Sequence, residues 1–355
     1  VRRPRTLAEL SAGTASLLLT LGGALLSAVL LILLLSRAPL TAIRYFFLGP
    51  FGSRYALGSL LSGAVPLVLT GLGMAVAFRS SVFNLGGEGQ LYAGALAATV
   101  VMLALPGQSG YVGGAAALAV AVVTGAALAG LSGFLRMRWG TDELISSFLI
   151  SAAVLRVVSF LITGPLSDPA SNLQATRPIP AQYWLSGIFP PSRLSTSALF
   201  ALVAAGLVFF LLYYTRTGYE MRMCGLNREF ARYGGIDVSA YLLTPMLLSG
   251  ALHGLAGGLS IMGTYHVAVK EFSAGLGWNG IAVALIAGSH PLAVLPAALF
   301  LAYIEAGARE AMLHSDVSLE IAAIVQAVIF FLVTARALAR ALRPRGVEAR
   351  PGRGA

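Results

Sequence analysis

One lysine and one cysteine, Lys270 and Cys224, are all that this 355-residue chain has of either residue. A single cysteine cannot close an internal disulfide or build a cysteine-rich metal site. The lysine lies between Val269 and Glu271. It cannot complete G-x-x-x-x-G-K-[S/T], the loop whose backbone amides and lysine cradle nucleotide phosphates. The chain therefore has no such phosphate-binding loop. Charge is scarce as well. Only 11% of residues are charged, against about 25% in soluble domains. Acids are outnumbered 14 to 24, which leaves a net charge of +10. No basic stretch is interleaved with aromatics, so this charge does not read as a nucleic-acid surface. It reads as arginines collected in cytoplasmic loops.

Apolar residues fill the space that charge leaves. They make up 57% of the chain, at a mean hydropathy of +0.82. The runs are continuous rather than alternating, which excludes a β-barrel. Many approach the ~20 residues of a spanning helix. The expected fold is an all-α polytopic membrane protein with about ten spans. These are 12–35, 56–78, 88–105, 112–134, 143–163, 195–214, 241–262, 276–289, 292–308 and 318–335. The uncharged run Ser11–Ser36 exceeds the ~7–15-residue apolar core of a signal peptide and is expected to be a retained first helix. An even count puts both termini on one side. Arg2, Arg3 and Arg5, and Arg336 to Arg353 in the tail, place that side in the cytoplasm. Arg136, Arg138 and the arginines of 215–238 agree. Arg37, Arg44 and Arg54 do not, unless 39–50 is an interfacial helix from which they snorkel. The expected domain plan is a cytoplasmic N-terminus (1–11), a transmembrane domain (12–335) and a basic cytoplasmic tail (336–355). The membrane domain includes a Pro- and Ser-rich outer loop (164–194) and a cytoplasmic loop (215–240).

Among these apolar runs stands VFNLGGEGQLYAGAL, residues 82–96, with one acid, Glu88, near Asn84 and Gln90. Clustered glycines suggest a helix break or a very close helix contact. A break at membrane depth is tolerated only inside protein or beside a water-filled cavity. Glu88 could cap the third helix through its dipole, or line such a cavity with Asn84 and Gln90. Leu85-Gly86-x-x-Gly89 at the third span returns as Leu276-Gly277-x-x-Gly280 at the eighth, a weak repeat relating two halves. In the second copy, Trp278 could stack on a ring and Asn279 hydrogen-bond it, or the pair could be an interfacial Trp and a helix cap. Arg156, inside the fifth span, either snorkels outward or pairs with Asp168, Glu305 or Glu310. Residues 215–238 contain an amphipathic stretch, with Met221, Leu226, Phe230 and Tyr233 at helical spacing and Gly234-Gly235 as its stop. It could dock into a partner's groove or lie on the membrane.

Two rival functions can be formulated. An ion-coupled transporter needs buried carboxylates, and only Glu88 and Glu305 lie near mid-span. An intramembrane serine protease would use Ser132, in Gly130-Leu-Ser132-Gly133, with His253 as base. None of the four histidines has an Asn four residues later, so an H-x-x-x-N oxyanion element is missing.

FNLGGEGQLYAGALAA resembles the FN-(I/L)-G-x-E-G-Q signature of permease subunits of nucleoside/simple-sugar-type ABC importers, the ribose/nucleoside branch of binding-protein-dependent permeases. TDELISSFLI, GPLSDPASNLQATRPIP, GLNREFARYGGIDV, LSGALHGLAGGL and GWNGIAVALIAG resemble further blocks of that family, in order, over roughly 60–310. The resemblance implies a multi-pass protein of the bacterial inner membrane. This would be one of two permease subunits, in a heterodimer, and itself neither an enzyme nor a cofactor protein. ATP-Mg would be used by a separate cytoplasmic ATPase with two nucleotide-binding halves, and an extracytoplasmic substrate-binding lipoprotein would deliver the solute. Asn84, Glu88, Gln90, Trp278 and Asn279 would then border the path of a nucleoside or related sugar. Arg222, Gly225, Asn227, Arg228, Glu229, Ala231, Arg232, Tyr233 and Gly234 would couple to the ATPase. Three places depart from the pattern: Ile150-Ser151 replaces an Asn-Tyr pair, His253 a small residue, and Arg228-Glu229 a Pro and a small residue.

Overall fold

In a computed structural model of the chain, described continuously over 36–318 and in part over 22–34 and 320–332, every regular element is helical. The expected N-terminus, the start of the first span, the end of the last and the basic tail lie outside the described residues. The helices are α1 (Leu25–Leu34), α2 (Pro39–Leu48), α3 (Arg54–Arg79), α4 (Gly87–Ala104), α5 (Gly110–Trp139) and α6 (Glu143–Thr163). They continue as α7 (Ser197–Tyr214), α8 (Arg216–Leu226), α9 (Arg228–Tyr233), α10 (Ala240–Ser260), α11 (Leu276–Ile286) and α12 (Pro291–His314). A π-helical turn, Ile261–Tyr265, prolongs α10.

Among the described residues six helices are long and apolar enough to cross a membrane, namely α3, α5, α6, α7, α10 with its π turn, and α12. This is a polytopic helical membrane protein. α4 has the length for a span, at 18 residues, but Glu88 and Gln90 make its first turn polar. α11 has 11 residues. At 1.5 Å per residue it rises about 16 Å, half of a ~30 Å hydrocarbon core. The eighth expected span is thus half helix, preceded by the irregular segment 266–275.

Side-chain caps set most helix starts. Ser53, Ser109, Asp142, Thr215 and Asn227 each accept a backbone N–H from the first turn of the helix they precede. Asn227, with φ −160° and ψ 110°, also separates α8 from α9, so the single amphipathic helix expected across Met221–Tyr233 is two short helices. Gly234 caps the second, as anticipated.

Packing rests on small residues. Gly250 and Gly254 of α10 lie against the α5 backbone at Gly125 and Ala121, so close that a Cβ would overlap it. Gly94 of α4 meets Gly254 in the same way, and Gly257 meets Leu91. Without a hydrophobic drive between helices in lipid, such close approach supplies the association. α3 runs through the centre, with 78% of its apolar window buried against 28% for α6. One end of the bundle carries 164–194 and the other α8 and α9. Residues 164–194 form short pieces rather than a domain. Residues 174–179 pair with 266–270 through Thr176 N–H to Ala268 O (3.0 Å), Ile179 N–H to His266 O (2.9 Å) and Lys270 N–H to Gln174 O (2.9 Å).

Candidate substrate path and coupling surface

Glu88 is buried and bonded to a helix that begins nearly 190 residues later. Its Oε1 accepts from Gly275 N–H at 2.9 Å, and its Oε2 from Gly277 N–H at 2.8 Å. These amides open α11, where orphan donors and the helix dipole favour an anion. Glu88 therefore caps α11 and not α4, an answer that neither sequence reading supplied. Gly275 takes φ +88°, the left-handed conformation that turns its amide toward the carboxylate. Gly277 lies on the Gly87–Glu88 backbone, leaving no room for a Cβ. Gly277 of the second Leu-Gly-x-x-Gly copy thus rests on Gly87 and Glu88, the two middle positions of the first.

Asn84 and Gln90 form a closed amide pair, Nδ2–H to Oε1 at 2.8 Å and Nε2–H to Oδ1 at 2.9 Å. Asn84 also donates to Ser249 Oγ (2.9 Å) and accepts from Gly86 N–H (3.0 Å). Both are buried, and these bonds lie inside the protein. Trp278 is 44% exposed, with its indole N–H 3.4 Å from Leu85 O. Asn279 donates to Glu305 Oε1 at 3.3 Å.

Glu305 lines a cavity of about 380 Å³. Its walls are the first half of α3, the π turn and α12, at the end of the bundle that carries 164–194. Leu276, the first residue of α11, also lines it. None of the five path residues anticipated from sequence lines this cavity; Asn279 reaches it through Glu305. Its own polar residues, among them Ser59, Ser62, Thr264 and Arg309, escaped sequence reasoning. They are single hydroxyls and charges on different helices, and no local spacing marks them.

At the opposite end, Gly225 packs on the Arg79–Ser80 backbone, and Arg228 Nη2 donates to Ser81 O at 2.8 Å. Ser81 Oγ donates to Gly225 O at 2.7 Å. Residues 81–86 then lead directly to Glu88. Arg222 lies over the Tyr213 ring at 4.9 Å, Ala231 is buried, and Glu229 and Arg232 are exposed. Met221 is buried, whereas Leu226, Phe230 and Tyr233 are 64%, 61% and 92% exposed. Glu220 accepts from Tyr241 OH at 2.5 Å and from Arg216 Nε at 2.7 Å, and these two bonds hold its carboxyl below the usual range.

Arg156 is exposed on α6 and has no ion pair among the described residues, so pairing with Asp168, Glu305 or Glu310 is not formed. The protease pair is not formed either. Ser132 Oγ bonds to Glu143 O and Ser146 Oγ, while His253 Nδ1 is 2.7 Å from Ser249 O.

A membrane bundle with a half-length helix and an exposed pair of short helices at one end fits a transport permease. The chain belongs to the family described as "Branched-chain amino acid transport system / permease component", which matches residues 56–334. It is a multi-pass cell-membrane permease component of a binding-protein-dependent ABC importer. It is not an enzyme and needs no cofactor of its own, since ATP is hydrolysed on a separate subunit. The ion-coupled and protease readings fall with this assignment. Over 319 residues it is 35% identical to the Probable riboflavin import permease protein RfuC of Treponema pallidum, covering 89% of this chain and 83% of that protein. It is 34% identical over 293 residues to the guanosine ABC transporter permease protein NupP of Bacillus subtilis, covering 80% and 82%. The guanosine ABC transporter permease protein NupQ of the same bacterium is 26% identical over 250 residues, covering 68% and 77%.

Proposed function

We propose that this permease carries a nucleoside or a related ribosyl compound into the cell, paired with a second, different permease subunit. Riboflavin and guanosine, named for two similar proteins, share a hydroxyl-rich chain or ring joined to a planar heterocycle. Two guanosine permease proteins in one bacterium favour the heterodimer. Both termini are cytoplasmic and the chain crosses the membrane ten times. The 12–335 membrane domain lies between the short N-terminus and the basic tail, with 164–194 outside and 215–240 inside.

The observation that carries the path assignment is the broken eighth span. Irregular backbone at membrane depth belongs beside a cavity, and half-helix N-termini are where transporters meet polar solutes. Glu88 fixes that half-helix, and the Asn84–Gln90 pair braces the turn from which Glu88 projects. These three act on the path through α11, while Asn279 acts through Glu305 and Trp278 borders the turn at Leu85. Residues 222–234 receive the ATPase, through exposed Phe230, Arg232 and Tyr233. The ATPase stroke passes from α8 and α9 through Ser81 to the α4–α11 joint, giving alternating access.

Uptake of labelled guanosine, uridine and ribose by native cells, with and without the gene, tests the reading. Loss of nucleoside uptake alone is expected. Loss of ribose uptake alone would move the solute to sugars, and unchanged uptake of all three would overturn the proposed solute class.

A further inference from the structure

We propose that the cavity between α3, the π turn and α12 is a solute-binding chamber selective for an uncharged, hydroxyl-rich ring compound, with Glu305 as its diol-reading residue. The inference rests on the importer reading above and assigns it a site. At about 380 Å³ the cavity sits at the small end of ligand pockets, roughly 300–1,000 Å³. That size suits one ring system and its substituents.

The lining sets the chemistry. Two arginines, Arg193 and Arg309, are matched by two acids, Glu305 and Glu310, so the formal charges cancel. A net charge on the solute gains nothing from such a wall. Ser59 and Ser62, one turn apart on α3, and Thr264 on the π turn present hydroxyls, which both donate and accept. Tyr265 adds a ring face. An ionised carboxylate accepts from two neighbouring O–H groups at once, which is the geometry of a vicinal diol. The Asn279 amide, 3.3 Å from Glu305 Oε1, orients that carboxylate from α11.

Position supports the same assignment. Arg193 and Arg309 are exposed at the mouth, on the side of 164–194. Leu276 is at the floor, and the next residue, Gly277, is the one whose amide Glu88 holds. A solute in the chamber therefore rests on the half-helix that the cytoplasmic end can move.

The test uses the assembled importer with Ser62→Cys and Thr264→Cys made singly. The native Cys224 is buried, so each variant offers one reachable thiol on this chain. A membrane-impermeant methanethiosulfonate bearing a sulfonate is added from outside, with ATPase co-purification confirming assembly. Labelling is expected to cut guanosine uptake at least tenfold, and saturating guanosine with its binding protein should slow the labelling. Uptake unchanged after complete labelling at both positions would overturn the chamber. In the same complexes, Glu305→Gln is expected to narrow the preference for guanosine over 2′,3′-dideoxyguanosine at least tenfold; an unchanged preference would overturn the diol-reading role. The two failures separate through the unmodified protein. Should it import ribose but no nucleoside, and labelling block that uptake, the chamber stands and the nucleoside reading falls. Should it import leucine and neither guanosine nor ribose, the hydroxyl-rich class falls too.

Discussion

Glu88 and Gly277, far apart in sequence, are joined by a buried hydrogen bond that ties the start of α11 to the start of α4. The carboxylate on α4 accepts the Gly277 amide at 2.8 Å and the Gly275 amide at 2.9 Å. The Gly277 bond is buried and the Gly275 bond partly so, and an intramolecular hydrogen bond contributes about 0.5–1.5 kcal/mol. Glu88→Ala should loosen α11 more than Glu88→Gln, which keeps one acceptor oxygen. The expected order of thermal stability in detergent is wild type, Glu88→Gln, Glu88→Ala. Equal melting temperatures would show that the cap is not held in the protein.

Gly277→Ala tests the close approach itself. Its Cβ would overlap the Gly87–Glu88 backbone, which has no flexible tip to yield. Overpacking of this kind costs about 1–3 kcal/mol. The melting temperature should fall and transport with it, while Gly63→Ala inside α3, where a Cβ meets nothing within 4 Å, should not lower the melting temperature.

Asn84→Ala should strip a partner from three groups at once: the Gln90 amide, the Ser249 hydroxyl and the Gly86 N–H. Each buried polar group left unsatisfied costs about 1–3 kcal/mol. The variant should be less stable than Gln90→Ala, and a double-mutant cycle should give a coupling of at least about 0.5 kcal/mol between the two sites.

Coupling to the ATPase should respond to α9. Tyr233 is 92% exposed, so Tyr233→Ala should lower ATPase co-purification without changing the permease's melting temperature. Arg228→Glu should lower it too, by removing the bond to Ser81 O and reversing the charge. Undiminished co-purification of both would place the ATPase contact elsewhere.

Acid should loosen the helix ends before the bundle. Glu220 is held below the usual 4.5 by Tyr241 and Arg216, and Asp316 below 3.8 by Ser36 Oγ and the Arg37 N–H. A carboxyl depressed by folding stabilises the fold above its unfolded pKa, and that contribution disappears as pH falls through the lower, folded value. Stability should therefore be insensitive to these groups from pH 5 to 8 and decline below about pH 4.5, where Glu220→Gln and Asp316→Asn should flatten the decline. Proteolysis of the α8 segment against pH would read the Glu220 contribution, and thermal melting of Asp316→Asn against pH the other.

The sequence made the membrane bundle legible because spans declare themselves through continuous apolar runs. Runs at 56–78, 112–134 and 143–163 fall on α3, α5 and α6, and 39–50 on α2 and the short 3₁₀ turn after it. What it hid was tertiary. The run 276–289 looks like a span, yet only 276–286 is helical, since Gly288 (φ +58°) and Ser289 (φ +55°) turn left-handed and end the helix. Glu88 signalled a cap, but which helix it caps depends on how α4 and α11 cross. The helical face drawn through Met221 and Tyr233 breaks because Asn227 caps a new helix with its own side chain. The chamber was invisible for a similar reason: Ser59, Arg193, Thr264 and Glu305 come from four separate segments.

The most direct measurement is ATP-driven guanosine uptake by proteoliposomes holding the complete importer, wild type against Glu88→Gln, at equal permease and ATPase content. A joint at Glu88 predicts an assembled complex whose uptake falls at least tenfold. Uptake equal to wild type, with the complex intact, would contradict it.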